Sequence, residues 1–277
     1  MKLYLGLDGG GTGCRAELVD ADGRVLGRGE GGAANINSDR QGALKTIIET
    51  AAQALDGRDP AGVAACLGLA GANISGARNW LGPMLPFGKS RVVHDAVTAV
   101  AGALGAADGI VVAIGTGSVF SRQMGGQILS IGGWGPVLGD EASGAWMGKL
   151  LLTLTLRSLD GLLLPTPLTQ AVLAQMEGAQ GIVGFARTAS GGEFARLARV
   201  MLEHPGDPVA EQVLTAGCDY VITAVERLQE GGHLPVTFTG GLGPIFADRL
   251  FEHWSQRPAR GTPLDGAVRL AQELGAP

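Results

Sequence analysis

The chain has 277 residues, of which 45% are hydrophobic and 17% charged, a balance that is typical of a compact globular protein and excludes a disordered one. The formal net charge is −5 and no block of lysine or arginine occurs, so neither a nucleic-acid partner nor a membrane-surface partner is expected. The three cysteines, Cys14, Cys66 and Cys218, lie far apart, which predicts reduced thiols in a cytoplasmic protein rather than a disulfide framework or a metal site.

The first predicted element is an apolar strand that runs into Asp8 and then into a glycine-rich loop. A second strand, Cys14–Val19, follows the loop, so the glycines lie at the tip of a β-hairpin. Because glycine has no Cβ, its backbone N–H groups can gather around an anion, and a nearby hydroxyl adds a donor. We therefore expect Gly10, Gly11 and Thr12 to bind phosphate, with Asp8 holding a hydrated Mg²⁺ beside it. An ordinary glycine-rich turn is the alternative.

The same arrangement recurs in the second half of the chain. The strand Gly109–Ile114 leads into a second glycine loop, and the Gly-Thr-Gly of residues 11–13 is repeated at residues 115–117. Two diverged copies predict a duplicated domain, with two phosphate-binding hairpins that face each other across a cleft. Gly115 and Thr116 are the expected phosphate-binding residues of the second hairpin.

Helices and further strands complete the first half. Apolar spacing predicts a helix over Arg40–Leu55, with Asp39 as its N-cap. Strands are expected at 63–70 and 91–94, and a helix over 96–104 follows the second of them. Three strands followed by alternating helices and strands predict an α/β fold with a mixed sheet.

The second half is predicted to be mainly helical after its hairpin. A helix is expected over 141–158, and the leucine-rich stretch 150–164 is interpreted as a buried helix too short to span a bilayer. A strand, Val236–Thr239, and a helix over 245–254 follow. The last helix, over 264–274, can cross back to the first half.

These elements predict two lobes. The N-terminal lobe is expected to span residues 1–106 with the returning helix 264–274, and the C-terminal lobe residues 107–263. No low-complexity linker separates them, so the boundary is interpreted as a hinge within one folding unit.

Six short motifs occur in a fixed order along the chain. They are Asp8-Gly-Gly-Gly-Thr12, Asp95-Ala96, Gly115-Thr-Gly-Ser118, Gly132-Gly-Trp-Gly135, Gly139-Asp-Glu141 and Gly240-Gly241. Together they resemble those of the N-acetylglucosamine kinases in the actin/hexokinase/heat-shock ATPase superfamily. The same broad family includes activator ATPases of benzoyl-CoA-type reductases. The resemblance implies a two-lobed actin-like (ribonuclease H-like) fold, with duplicated mixed-sheet domains around a nucleotide cleft.

The resemblance also implies the ligands. ATP, Mg²⁺ and a small-molecule sugar are the expected cofactors and partners, and a homodimer is the expected assembly. The expected reaction is transfer of the γ-phosphate to the 6-hydroxyl of N-acetylglucosamine. Gly240 and Gly241 are expected to let the nucleoside approach a strand-to-helix turn, with an ordinary tight turn as the alternative.

A base must accept the proton of the attacking sugar hydroxyl. Asp95 is the candidate, because a carboxylate at the end of a strand can point into the cleft. The alternative is that Asp95 only caps the following helix. His94 stands beside it, but a single histidine at a strand end is more often structural, so a proton relay is not expected.

The resemblance implies a set of sugar contacts: Asn35, Asp95, Ser118, the backbone of Gly133, Trp134 and Gly135, and Asp140. Asp140 is suited to accept two neighbouring hydroxyls, or else it is structural. Trp134 either packs against the sugar or fills the core. Val119 stands where the animal kinases tend to have a polar residue, which makes glucosamine a competing substrate.

Other ATPase classes fit the motifs less well. An iron–sulfur activator ATPase needs clustered cysteines, and no such cluster occurs. The Walker motif is absent, and a Rossmann fold places its glycines between a strand and a helix. A non-catalytic sensor of the same fold stays open.

Overall fold

The computed structural model describes residues 2–37, 39–72 and 76–275. Contacts group the chain into two compact units. The first unit comprises Met1–Val111, Gln123–Ile128 and Pro258–Pro277, and the second comprises Val112–Arg122 and Leu129–Arg257. The sequence predicts two lobes with a boundary at residue 106. The contact grouping does not test these limits, which remain a prediction.

The first sheet has five strands in the order β3-β2-β1-β4-β5. They are β1 Leu3–Gly9, β2 Cys14–Val19, β3 Val25–Gly31, β4 Val63–Leu69 and β5 Lys89–His94. The β1–β2 and β2–β3 pairs are antiparallel, whereas β1–β4 and β4–β5 are parallel, so the sheet is mixed as predicted. The carboxyl ends of β1, β4 and β5 therefore lie at one edge, where Gly9 pairs with Leu69 and Leu69 with His94.

Helices of the first unit are α1 Arg40–Leu55, α2 Ala77–Leu81, α3 Asp95–Leu104 and the last helix of the chain, α10 Pro263–Leu274. Short 3₁₀ turns occupy Pro60–Gly62 and Gly82–Met84. Asp39 caps α1 as predicted, since its side chain accepts a hydrogen bond from the Gly42 N–H. The returning helix packs closely on the first sheet, because a Cβ at Gly6 of β1 would lie 2.4 Å from the Val268 nitrogen.

The second sheet has four strands in the order β8-β7-β6-β9. They are β6 Gly109–Ile114, β7 Ser118–Met124, β8 Gln127–Gly132 and β9 Val236–Thr239. The accompanying helices are α4 Gly144–Leu159, α5 Pro167–Gln175, α6 Ala179–Thr188, α7 Gly191–Leu202, α8 Pro208–Gln229 and α9 Gly243–Arg249. Close packing of α4 on α7 depends on Gly148, whose Cα faces the Phe194 carbonyl.

Several element limits differ from the sequence prediction. The helix expected from residue 141 begins at Gly144, because Asp140 and Ala142 have positive φ angles that a right-handed helix does not allow. The same helix ends at Leu159, so Leu162 and Leu164 are exposed rather than buried in a helix. The helix expected to reach residue 254 ends at Arg249.

After α9, the chain returns alongside β9. The Val236 N–H donates to the Ser255 carbonyl, and the Arg257 N–H donates to the Val236 carbonyl. This pairing needs an extended backbone, which explains why the helix stops early. None of the described helices is long and apolar enough to cross a membrane.

Candidate active site

The tip of the first hairpin forms a tight, exposed loop. The Gly10 N–H donates to the Gly13 carbonyl at 2.9 Å, and the Gly10 carbonyl accepts from the Ala34 N–H at 2.8 Å. Gly11 and Thr12 are exposed, and a Cβ at Gly11 would meet no atom within 4 Å. The loop therefore presents its tip to solvent, as a phosphate-binding loop must.

Two further loops meet the hairpin at the carboxyl edge of the first sheet. The Ala70 N–H donates to the Gly9 carbonyl at 2.8 Å, and the Ala70 carbonyl accepts from the Ile36 N–H at 3.2 Å. Gly71 has φ +84°, and a Cβ there would lie 2.8 Å from Asn35 Oδ1. The predicted sugar contact Asn35 thus lies at the same edge as Asp8.

Asp95 is the first residue of α3, directly after β5, and not its N-cap. Its Oδ1 accepts from the Ala96 N–H at 2.9 Å and lies 3.0 Å from His94 Nε2. Thr98 Oγ1 donates to the Asp95 carbonyl at 2.8 Å, which fixes the backbone at this point. The N-cap position belongs to His94, whose side chain makes no capping bond, so Asp95 lies one residue inside the helix and its carboxylate accepts a first-turn N–H from there.

Asp8 and Asp95 interact electrostatically. The pKa of Asp8 is raised from its usual 3.8 to about 6, first by burial and then by the negative charge of Asp95, while the positive charge of Arg15 opposes both effects. A half-buried carboxylate beside a second carboxylate suits a hard divalent cation that also takes phosphate oxygens. Among the described residues, no group of three or more His, Cys, Asp or Glu side chains that could hold a metal ion occurs.

In the second unit, two glycine turns adjoin the end of β6. The Gly115 N–H donates to the Gly117 carbonyl at 2.9 Å, while the carbonyls of Gly115 and Thr116 accept from the first N–H groups of α4. Gly240 has φ +83°, and a Cβ there would lie 2.3 Å from the Ile114 carbonyl oxygen. The four predicted ATP contacts of this unit, Gly115, Thr116, Gly240 and Gly241, are therefore neighbours around Ile114.

The predicted sugar contacts of the second unit form one hydrogen-bonded group. Asp140 is buried, its Oδ1 accepts from the Gly135 N–H at 3.0 Å, and a Cβ at Gly117 would approach its Oδ2. Ser118 Oγ donates to the Glu141 carbonyl at 2.6 Å, and the Ser118 carbonyl accepts from the Gly133 N–H. Asp140 has a positive φ, and its carboxylate returns to the Gly135 N–H across the turn.

Trp134 does not fill the core. Its side chain is 74% exposed, so that alternative from the sequence is wrong. It directly precedes a short turn that the Gly139 N–H closes by donating to the Gly135 carbonyl at 2.9 Å. An indole held at the surface by a fixed turn is available to pack against a ligand.

One polar side chain of this group, that of Tyr220, was not predicted from the sequence. The Tyr220 side chain on α8 hydrogen-bonds to Glu141, and its pKa is raised by burial first and then by the charges of Glu141 and Asp140. Glu141 was visible in the Gly-Asp-Glu motif, but Tyr220 belongs to a long helix and no motif marks it. It supports the turn that carries Asp140.

The structure brings together the predicted residues of each unit separately. Asp8, Gly10, Asn35 and Asp95 share the carboxyl edge of the first sheet, and the remaining candidates surround the end of β6 in the second unit. That the two groups face each other across a cleft stays a prediction from the duplicated motifs.

Several known proteins are similar to this chain over nearly its whole length. A glucosamine kinase, GspK, from Vibrio cholerae is 28% identical over 98% of this chain and 96% of its own length. An N-acetyl-D-glucosamine kinase from Dictyostelium discoideum is 26% identical and covers 98% of each chain. The crystal structure of a candidate N-acetylglucosamine kinase from Chromobacterium violaceum is 31% identical, with a TM-score of 0.90 over 98% of this chain and 99% of that one.

These comparisons confirm the predicted fold class, that of the actin-like ATPases and sugar kinases. They also agree with the family resemblance seen in the motifs. The family model described as the BadF/BadG/BcrA/BcrD ATPase family matches residues 5–245, which is most of the sequence. The chain therefore belongs to the BadF/BadG/BcrA/BcrD ATPase family.

Proposed function

We propose that the protein is an ATP-dependent amino-sugar kinase that transfers the γ-phosphate of ATP to the 6-hydroxyl of N-acetylglucosamine. The observation that carries this proposal is the geometry of Asp95. It stands at the carboxyl edge of the first sheet, beside Asp8 and an open glycine loop, with one carboxylate oxygen already held by Ala96. The amino-sugar kinases among the relatives support the same reaction class.

The two glycine loops bind the phosphates of ATP. Gly10, Gly11 and Thr12 hold phosphate oxygens in the first unit, and Gly115 and Thr116 do so in the second. Gly240 and Gly241 give the nucleoside a surface without side chains. Phosphoryl transfer needs mainly positioning and charge stabilisation, which backbone N–H groups provide.

The site residues fit Mg²⁺ through Asp8. Burial and the neighbouring charge of Asp95 raise the pKa of Asp8 despite the opposing charge of Arg15, and a divalent cation beside this carboxylate would favour its ionised form. Asp8 would hold the ion through water, and Mg²⁺, when bound with ATP, neutralises charge on the phosphate oxygens.

Asp95 acts as the general base. It accepts the proton of the 6-hydroxyl as the oxygen–phosphorus bond forms and the bond between the γ-phosphorus and the ADP oxygen breaks. A hydroxyl becomes acidic only as it attacks, so an ordinary carboxylate suffices. Exclusion of water from the site prevents simple hydrolysis of ATP.

Sugar recognition uses fixed polar groups. Asn35 in the first unit and Ser118 and Asp140 in the second are the proposed side-chain contacts, with the Gly133–Trp134–Gly135 backbone beside them. Asp140 is suited to accept neighbouring hydroxyls, because a buried carboxylate with one oxygen anchored to Gly135 keeps a fixed direction.

Glucosamine is the second candidate substrate. The glucosamine kinase from Vibrio cholerae covers nearly the whole chain, and Val119 offers no polar group to an acetamide. An iron–sulfur activator role is disfavoured, because the three cysteines are buried and burial raises the pKa of the Cys14 and Cys66 thiols to about 11.

The test is a coupled assay of ADP release with N-acetylglucosamine, glucosamine, glucose and no sugar. We expect turnover to depend on an amino sugar and to be lost with 6-deoxy-N-acetylglucosamine, which lacks the acceptor oxygen. ADP release that is equal with and without sugar would instead indicate a plain ATPase, and nucleotide binding without turnover a sensor.

The proposed assembly is a cytoplasmic homodimer with ATP and a small-molecule sugar as its ligands. Size-exclusion chromatography with light scattering distinguishes a dimer from a 28.2 kDa monomer. No nucleic-acid or membrane partner is proposed.

A further inference from the structure

His94 makes a direct side-chain contact with the proposed base. Its Nε2 lies 3.0 Å from Asp95 Oδ1, and its side chain is only 16% exposed. Since a carboxylate only accepts hydrogen bonds, the proton of a neutral imidazole in this contact belongs on Nε2. His94 also occupies the N-cap position of α3, where its side chain makes no capping bond to the helix. The imidazole therefore serves Asp95 rather than the helix end.

We propose that His94 is a positioning residue that orients the Asp95 carboxylate, an inference that rests on the proposed kinase function. His94 Nε2, at 3.0 Å, and the Ala96 N–H, which donates at 2.9 Å, both lie against Oδ1. Among the residues that the structure describes, no hydrogen bond to Oδ2 is formed. The recorded contacts of the carboxylate are therefore at Oδ1, and under the proposed function Oδ2 is the oxygen that accepts the proton of the sugar hydroxyl.

Asp95 needs such a constraint for two reasons. Its side chain is 38% exposed, so water competes for its oxygens and several rotamers are open to it. Asp8 repels it, as the raised pKa of Asp8 shows. Without the imidazole, the carboxylate can rotate away from Asp8 and from the acceptor hydroxyl. A misplacement of about 1 Å can lower turnover by about 100-fold.

This role differs from a proton relay. A relay requires His94 to accept a proton, whereas orientation requires only a neutral N–H donor. Glutamine supplies a neutral N–H at a similar distance from the backbone, and leucine has comparable bulk without a donor. His94→Gln and His94→Leu therefore distinguish orientation, relay and a purely structural role.

The experiment measures kcat and the KM values for sugar and ATP in the sugar-dependent assay. We expect His94→Leu to lower kcat by about 10-fold or more with KM for ATP within about 3-fold, and His94→Gln to recover kcat to within about 3-fold of wild type. Equal losses in the two variants would overturn the proposal in favour of a relay, and wild-type kcat in both would overturn it in favour of a structural role.

His204 provides a matched control. It is also half-buried and makes one hydrogen bond, from Nδ1 to the Val200 carbonyl at the end of α7. His204→Leu is expected to alter thermal stability but not kcat. Thermal unfolding of each His94 variant, with and without ATP, shows whether a loss of kcat reflects loss of the fold.

A second readout does not need turnover. Nitrogen-15 NMR of the labelled wild-type protein should show the Nε2–H tautomer for His94, with its shift altered in Asp95→Ala. The Nδ1–H tautomer in the wild type would overturn the proposal. If no sugar supports turnover, the kinase function fails, and this spectrum still tests the contact between His94 and Asp95.

Discussion

Asp95 is the residue whose replacement most directly tests the proposed chemistry. Asp95→Asn keeps the size of the side chain and its acceptor oxygen for the Ala96 N–H but removes the base. We expect sugar binding to persist and turnover to fall by at least about 100-fold. Single-turnover kinetics and isothermal titration with the sugar check the two parts separately. Asp248→Asn, on an exposed part of α9, is the matched control. Near-normal turnover in Asp95→Asn would remove this carboxylate from the mechanism.

The charge of Asp8, which the proposed function needs, also affects the stability of the folded protein. Its pKa in the folded protein is about 6, above its usual 3.8, so the folded state binds this proton more tightly than the unfolded state does. The metal-free protein therefore loses stability as the pH rises from about 4 to about 6, and the loss persists above that range. Asp8→Asn removes the charge and should stabilise the metal-free protein at pH 8 by about 1 to 3 kcal/mol, with no gain below pH 4.

Urea unfolding of Asp8→Asn and wild type at pH 8 and pH 4, without Mg²⁺, measures this difference. The exposed Asp22→Asn should change neither value. We expect Asp8→Asn to be inactive although it is more stable, a trade-off that is common at functional sites. A variant less stable than wild type at pH 8 would contradict the assigned environment of Asp8.

At the scale of elements, two helices pack through paired glycines. A Cβ at Gly266 of α10 would lie 2.0 Å from the Thr98 carbonyl oxygen and 2.5 Å from the Gly102 nitrogen of α3. Gly266→Ala therefore forces the helices apart and should destabilise the protein by about 1 to 3 kcal/mol. Gly184→Ala in α6 is the control, because a Cβ there meets no atom within 4 Å and alanine favours a helix. Urea unfolding measures the free energy of unfolding of both variants. Equal stability of Gly266→Ala and Gly184→Ala would contradict the close packing of α10 on α3.

Elements with a local signal were predicted best. The limits of α1, including the cap by Asp39, follow from apolar spacing and one capping residue, and the sequence prediction matches the structure there. The start of α4 was missed, because Asp140 and Ala142 have positive φ angles that no local residue pattern indicates, and the Asp140 carboxylate is held by the Gly135 N–H. Contacts between distant segments, such as Tyr220 with Glu141, leave no local pattern to read.

The same distinction applies to the candidate site. Glycine loops and carboxylates at strand ends were recognisable, because their residue types and places in the chain indicate anion and proton chemistry. The contact between His94 and Asp95 was not, since its geometry depends on how β5 turns into α3. Sequence alone also left the role of Trp134 undecided, and its exposure is a tertiary property.

At the scale of the whole molecule, the repeated Gly-Thr-Gly motif lets equivalent positions of the two hairpin tips be compared. Gly11 and Gly115 occupy matching places in their loops, and a Cβ at either would meet no atom within 4 Å. The fold therefore does not require glycine at these two positions. Gly240 differs, because its φ of +83° and its closeness to Ile114 demand glycine for structural reasons.

Gly11→Ala and Gly115→Ala should thus leave thermal stability unchanged while raising KM for ATP by about 10-fold or more, since a methyl group blocks the approach of phosphate to backbone N–H groups. Gly62→Ala, where a Cβ is equally free of neighbours, should change neither quantity. Thermal unfolding and steady-state kinetics on the same preparations separate the effects. If only one of the two tip variants weakened ATP binding, the duplication would be structural and just one hairpin would hold phosphate. If both weaken it equally, both hairpin tips take part in ATP binding, as the repeated Gly-Thr-Gly motif predicts.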